Sequence, residues 1–494
     1  MVLPLYLNDT RKEEIMDWNE AISLLHGANW KHTKIGLERM REVMHALGDP
    51  QDRLRYVHIA GTNGKGSACA MTQSILTAAG FRTGLYISPH LDQFNERISI
   101  DGEMISDGDL RRLATRVRHA AEALGEEPTD FEMITALAFC YFEEQHCDFV
   151  VLEVGMGGRL DATNVIAPPE VAAIMHIGLD HTEFLGDTVE KVAAEKAGIL
   201  KAGSDCVLYH QLPSVMAVVE RRFAEVNTVD TSAAEVCMVD RTSSRARTGS
   251  GNTRDAEVCM GQTEPGRDAE EARMSDENSC SYAARLIPTD PTAFTARTRS
   301  IDGQVFDYRG RHALRIRLLG NYQMENAMVV LDLMDCLIRR GFQISEEAIR
   351  AGLAEARWPG RFELLSRNPL LIVDGAHNPN GVEALVETIR SYFPDQKINF
   401  VMGVMRDKDY HTMLRLIAPY AARFITELPD TKRALDPEAL KAEIRTYFDG
   451  PVETAESVTA AVQRAMEIAE QTGTITLCFG SLYQVADIRR CFLR

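Results

Sequence analysis

One short segment restricts this 494-residue chain more than any other: Gly61-Thr-Asn-Gly-Lys65-Gly-Ser67, set between a β-rich run, Tyr56 to Ala60, and a helix-periodic run, Ser67 to Ala79. A strand that ends in a glycine loop and continues into a helix opens a βαβ unit, so the segment commits the chain to a mainly parallel α/β sheet. Glycines let main-chain N–H groups approach a phosphate, the helix N-terminus adds its dipole, and Lys65 adds a positive charge. The spacing is a variant of the usual phosphate loop. Ile59 stands where the first glycine would be, and Gly66 separates the lysine from Ser67.

The alternation continues along the chain. Phe81 to Ile87, Phe149 to Val154 and Val171 to Ile177 read as further strands, the second apolar enough to be covered on both faces. Trp358-Pro359-Gly360 breaks the pattern and predicts a domain boundary. The expected division is an ATPase domain with a parallel sheet over 1–355, a linker over 356–361, and a smaller Rossmann-like domain over 362–494. In the second domain Leu370 to Val373, Ile398 to Val401 and Thr474 to Phe479 are predicted strands and Pro379 to Tyr392 a helix. From Ala224 to Ser281 there is no Leu, Ile or aromatic residue, so an inserted segment without a core of its own is predicted over about 224–290. A helix near Val215 to Phe223 precedes it; a hairpin strand, Ile301 to Tyr308, and a helix, Tyr322 to Arg340, follow it.

A formal charge of −18 argues against nucleic acid as the partner, since phosphate backbones favour a basic excess. No apolar run approaches the roughly 20 residues that span a bilayer. The ten cysteines are scattered without a CxxC pair, which suits reduced thiols, and the N-terminus lacks the basic region of a signal peptide. A cytoplasmic enzyme is expected.

Polar residues cluster just beyond the predicted strands. Glu153 ends one strand and leads into Gly155-Met-Gly-Gly158-Arg-Leu-Asp161-Ala-Thr-Asn164; a carboxylate there can hold a cation or simply pair with a basic side chain. Asp180-His181 follows the next strand, as a ligand or a structural histidine. In the second domain Asp374-Gly-Ala-His377-Asn-Pro379, Met402-Gly403-Val-Met-Arg406-Asp-Lys408 and Phe479-Gly-Ser481 repeat the arrangement. These strand ends are where open α/β sheets bind ligands, and together they predict one wall of an interdomain site.

Taken in order, these motifs resemble the folylpolyglutamate synthase and dihydrofolate synthase family of the Mur-ligase superfamily. The likeness runs from Ile35-Gly-Leu-Glu-Arg39 to Gly480-Ser481, with Ser88-Pro-His90, Glu195-Lys196-Ala-Gly198, Gly320-Asn-Tyr-Gln323 to Asn326 and Pro359-Gly-Arg361 between. It implies that Gly61, Thr62, Asn63, Gly64, Lys65, Gly66 and Ser67 hold ATP phosphates and that Asn321, Gln323, Arg361 and Asp374 surround the nucleotide. It further implies that Ser88, Glu153 and His181 bind Mg2+, with a monovalent cation as a further partner, and that Lys196 is a site of carbamylation. Thr129, Phe131, Asp161 and Ala162 match a pterin pocket, and His377 and Ser481 the region of nucleotide or incoming glutamate; Lys65, Lys196 and His377 are the implied catalytic groups. The expected partners are ATP, L-glutamate and a folate or dihydropteroate, the expected state a monomer.

The implied chemistry is amide ligation through an acyl phosphate. Phe131 and Asp161 lean towards an enzyme with both folate activities, against one that only extends glutamate tails. A cell-wall ligase with a UDP-linked acceptor and a nucleotide-binding regulator without ligase activity are the remaining alternatives.

Overall fold

The computed structural model describes residues 15–26, 36–122, 124, 128–228 and 283–492. Eight strands form the first sheet: β1 Tyr56–Ala60, β2 Thr83–Tyr86, β3 Ile98–Ile100, β4 Glu103–Met104, β5 Phe149–Glu153, β6 Val171–Ile174, β7 Asp205–Leu208 and β8 Leu286–Pro288. Their spatial order is β4-β3-β2-β5-β1-β6-β7-β8. The strands from β2 to β8 pair in parallel, while β3 and β4 close one edge antiparallel.

All five residues of β1 are buried, because helices cover both faces of the sheet. Val57 and Ile59 point into a core shared with helices Lys65–Ala78 and Asn321–Arg339, whereas Tyr56 joins the opposite core with helices Asp107–Glu122 and Asp130–Glu144. Helix Glu346–Glu355 lies so close to helix Lys65–Ala78 that the Ser74 hydroxyl donates to the Gly352 carbonyl at 2.8 Å.

Three antiparallel strands, β9 Phe294–Ser300, β10 Gly303–Tyr308 and β11 Arg311–Ile316, connect the first sheet to helix Asn321–Arg339. The strand expected over 301–308 starts two residues later, since Ile301 and Asp302 make the turn between β9 and β10. The expected insertion is also narrower at both ends. Helix Pro213–Thr228 runs past 224, anchored by buried Val215 and Val219, and β8, Leu286–Pro288, begins before 290. The remainder of the 224–290 reading, 229–282, lies outside the described residues.

The second sheet holds β12 Glu363–Arg367, β13 Leu370–Val373, β14 Ile398–Met402, β15 Ala421–Thr426, β16 Val452–Thr454 and β17 Ile475–Phe479, in the order β12-β13-β17-β14-β15-β16. All but the β12–β13 pair are parallel. Helix Pro379–Tyr392 spans the same residues as in the sequence reading: Pro379 supplies a preset φ at its first position, and the Asn378 side chain accepts from the Gly381 N–H. Among the described residues no helix is long and apolar enough to cross a membrane.

Candidate active site

Strand register brings the first wall together. Ile59 of β1 pairs with Glu153 of β5, and Ala60 with Ile174 of β6, so the loops beginning at Gly61, Val154 and Met175 leave one sheet edge side by side. The phosphate loop is then fixed to the third of these. Thr62 N donates to the His176 carbonyl at 2.8 Å, and the Thr62 hydroxyl donates to the Gly178 carbonyl at 3.0 Å. Gly64 caps the helix with φ 87°, a left-handed conformation, and a Cβ there would stand 2.4 Å from Asn326 Oδ1. A Cβ on Gly66 would stand 2.1 Å from the Trp358 indole. The extra glycine that distinguishes this loop therefore has a geometric cause: the linker's tryptophan rests on the first turn of the helix.

Four ionisable groups share the desolvated end of the loop. Lys65 Nζ lies 3.9 Å from Glu153 Oε1 and donates to the Thr62 carbonyl at 3.3 Å. Glu153 Oε2 accepts the Ser88 N–H at 3.1 Å. Burial raises the Glu153 carboxyl above its ordinary range, opposed by the Lys65 ammonium and the Ser88 amide. Lys196, at the end of helix Val189–Lys196, donates to the Gly61 carbonyl at 2.8 Å. Burial, reinforced by the Lys65 charge, brings its amine down to about 7. His181 occupies a left-handed position, φ 49°, ahead of the short helix Thr182–Leu185, and burial holds its imidazole below the usual value.

The second wall comes from strand ends of the second sheet, those of β13 and β14 on either side of β17. Asp374 follows β13; its Oδ2 accepts the Phe362 N–H at 2.7 Å and the Tyr322 hydroxyl at 3.2 Å, and its Oδ1 the Ala376 N–H at 2.8 Å. Arg361 crosses directly over Gly375, where a Cβ would meet a guanidinium nitrogen at 2.0 Å. His377 Nδ1 sits 2.7 Å from the Gly375 carbonyl, so Nδ1 carries the proton and Nε2 is left as an acceptor; burial lowers the ring to about 4. Lys408, in the loop after β14, reaches across to Asp180 at 3.6 Å. The two walls enclose one cleft of about 1000 Å³.

That cleft contains Thr62 to Ser67, Ser88, Glu153, His181, Arg361, Asp374 and His377. Gly61 and Lys196 line a small recess beside it, shared with Lys65 and His181. Asn321 and Gln323 do not face it. Their helix presents Tyr322, Glu325 and Asn326 instead, while Gln323 is wholly buried and Asn321 Nδ2 donates to the Ser391 hydroxyl at 2.7 Å. Ser481 is also buried and accepts the Tyr483 N–H at 3.1 Å. Thr129, Phe131, Asp161 and Ala162 do not line the cleft, but Phe131 and Asp161 lie beside its Gly155: the Phe131 ring lies where a Cβ on Gly155 would be, 2.5 Å from Cζ. Asp161 there accepts from Met156 N at 2.8 Å and from the Thr163 hydroxyl at 2.6 Å. Sequence reasoning gave no site role to Tyr322 or Trp358, and it placed Asp180 and Lys408 in separate polar clusters without pairing them. Trp358 had a signal in the Gly66 it covers; the pair, on two domains, had none.

Residues 59–252 match the Mur ligase middle domain and residues 360–482 the Mur ligase glutamate ligase domain, so fold and site define an ATP-dependent ligase of the Mur type. The chain is 33% identical to the dihydrofolate synthase/folylpolyglutamate synthase of Bacillus subtilis, over 96% of this chain and 98% of that one. It is 32% identical to the folylpolyglutamate synthase of Lacticaseibacillus casei, over 97% and 99%. The crystal structure of Mycobacterium tuberculosis folylpolyglutamate synthase complexed with ADP and AMPPCP superposes with a TM-score of 0.75 at 29% identity, covering 96% of this chain and 99% of that one. The chain belongs to the dihydrofolate synthase/folylpolyglutamate synthase family.

Proposed function

We propose that this protein joins L-glutamate both to dihydropteroate and to folates, using ATP, with residues 1–355 and 362–494 as the two working domains. The observation that carries the reading is the single cleft in which Lys65 and Glu153 face Arg361, Asp374 and His377. A carboxylate oxygen of the pteroyl substrate takes the γ-phosphoryl group of ATP, giving an acyl phosphate and ADP. The glutamate amine, having lost a proton, attacks the acyl carbon; the tetrahedral adduct expels phosphate and leaves the amide. Lys65 and the loop amides oppose the charge on the transferring group, and the two walls exclude water from the acyl phosphate. His377, at about 4, is neutral at physiological pH, so its role is to accept a hydrogen bond through Nε2 and orient a reactant.

The residues present fit a divalent cation. Glu153 commits one oxygen to Ser88 N, and its other faces only an ammonium 3.9 Å away. Ser88, Glu153 and His181 would hold Mg2+, which when bound would offset the charge of the ATP phosphates. Lys196 fits carbamylation for a related reason. Its amine at about 7 is substantially unprotonated at pH 8, and a neutral amine nitrogen can add to CO2, releasing a proton and leaving a carbamate anion. Activity is accordingly expected to rise from pH 6 to pH 8, with a carbamate carbon signal from 13C-bicarbonate that Lys196→Met lacks. A flat profile with no signal at pH 8 would remove this role.

The acceptor is settled by weighing products after incubation with ATP, glutamate and either dihydropteroate or tetrahydrofolate. One added glutamyl residue on both substrates is expected. Extension of tetrahydrofolate alone would show the single-activity enzyme, and no glutamate-dependent product from either would overturn the reading.

A further inference from the structure

Residues 36–39 of the motif Ile35-Gly-Leu-Glu-Arg39 do not line the cleft, yet Arg39 supplies one of the most buried ion pairs among the described residues. Arg39, from helix Glu38–Ala46, donates to Glu132 through Nε at 2.8 Å and through a terminal nitrogen at 3.0 Å. The two side chains are 8% and 7% exposed. The same carboxylate accepts from the Thr129 N–H at 2.7 Å and the Thr129 hydroxyl at 2.9 Å. Glu132 therefore ties an arginine 93 residues away to the residue that starts helix Asp130–Glu144. A second link holds the next turn: the Thr135 hydroxyl donates to the Phe131 carbonyl at 2.7 Å and meets the Tyr86 hydroxyl at 2.9 Å. Between these links Phe131 projects over Gly155, 6.1 Å from the Tyr86 ring.

The geometry points to Arg39 as a positioning residue for the pteroyl end of the substrate: through Glu132 it sets where Thr129 and Phe131 stand, without touching substrate itself. This rests on Thr129 and Phe131 forming the pteroyl pocket. A bidentate guanidinium fixes both carboxylate oxygens, so the remaining lone pairs have one direction in which to hold Thr129. A lysine supplies the charge but a single contact point, and the loop then loses its fixed orientation while the phosphate loop, on another strand end, keeps its own.

Arg39→Lys is expected to raise KM for dihydropteroate and tetrahydrofolate about tenfold, with KM for ATP within twofold and kcat within threefold. Because a buried charge pair cut on one side can unfold a protein, the double variant Arg39→Met/Glu132→Leu is the companion; an apolar pair of similar volume is tolerated in such places, and it frees Thr129 equally. The same split between pteroyl and ATP constants is expected there. Unchanged pteroyl KM in the variant that folds, or equal rises for ATP and pteroyl substrates, would overturn the assignment. Phe131→Ala separates the two layers. If it leaves pteroyl KM unchanged, the pocket itself is misassigned; if it raises KM while the Arg39 variants do not, only the positioning role falls.

Discussion

Lys65→Ala is expected to lower folate- and glutamate-dependent ADP release by about a thousandfold or more, equivalent to about 4 kcal/mol of transition-state stabilisation. The loss exceeds that of one hydrogen bond because three groups depend on the same ammonium. It faces the phosphates from the first residue of its helix, and it is the nearest cation to Glu153, whose carboxyl is already raised by burial. Without it Glu153 rises further and is a poorer cation ligand. Lys65 also helps to keep the Lys196 amine low, so its removal returns Lys196 towards the protonated form. Among the described residues its ammonium makes only one hydrogen bond, a 3.3 Å contact with the Thr62 carbonyl, so the apparent melting temperature is expected to stay within about 2 °C of the parent. A coupled assay for ADP beside a thermal melt makes the comparison. Near-normal turnover would remove the phosphate loop from the reaction.

How far such a site can be read from sequence depends on whether its contacts are local. The phosphate loop, Glu153 and Asp374 each sit at the end of an apolar strand, and strand–loop–helix order is written in consecutive residues. Among the strands that went unread, β9, Phe294–Ser300, shows one reason: a stretch with exposed, charged faces and no fully buried residue carries little periodic signal. Asn321 and Gln323 show a different limit. A motif gives the helix, but the rotation of that helix against its neighbours decides that Tyr322 and Asn326 turn to the cleft while Gln323 turns into the core. Arg39 with Glu132, and Asp180 with Lys408, are pairs made by tertiary folding between distant segments, and charge type alone does not choose one partner among 72 acidic residues.

Glu427→Gln is expected to stabilise the protein, and to do so only at neutral and alkaline pH. Glu427 follows β15, is fully buried, and neither carboxyl oxygen has a hydrogen-bond partner among the described residues. Gly403 packs directly against it, where a Cβ would stand 2.0 Å from Oε1. Burial, with the Asp487 charge adding to it, pushes the carboxyl up to about 8. The unfolded chain would lose that proton near about 4.3. Between these values the folded state binds the proton and the unfolded state does not, so this group's contribution is fully present below about pH 4.3 and is lost as pH rises to about 8. At about 1.4 kcal/mol per pH unit the ceiling is about 5 kcal/mol. An amide does not ionise but is itself buried without a partner, so a gain of about 2 kcal/mol at pH 8.5 is expected, a rise of about 4–8 °C in apparent melting temperature. At pH 5 the parent has lost only about 1 of those roughly 5 kcal/mol, so the unpartnered amide is expected to leave the variant about 2 kcal/mol less stable than the parent there. A gain of the same size at both pH values would show that the amide acts through packing, and a lower melting temperature at pH 8.5 would show that the carboxylate is needed where it stands.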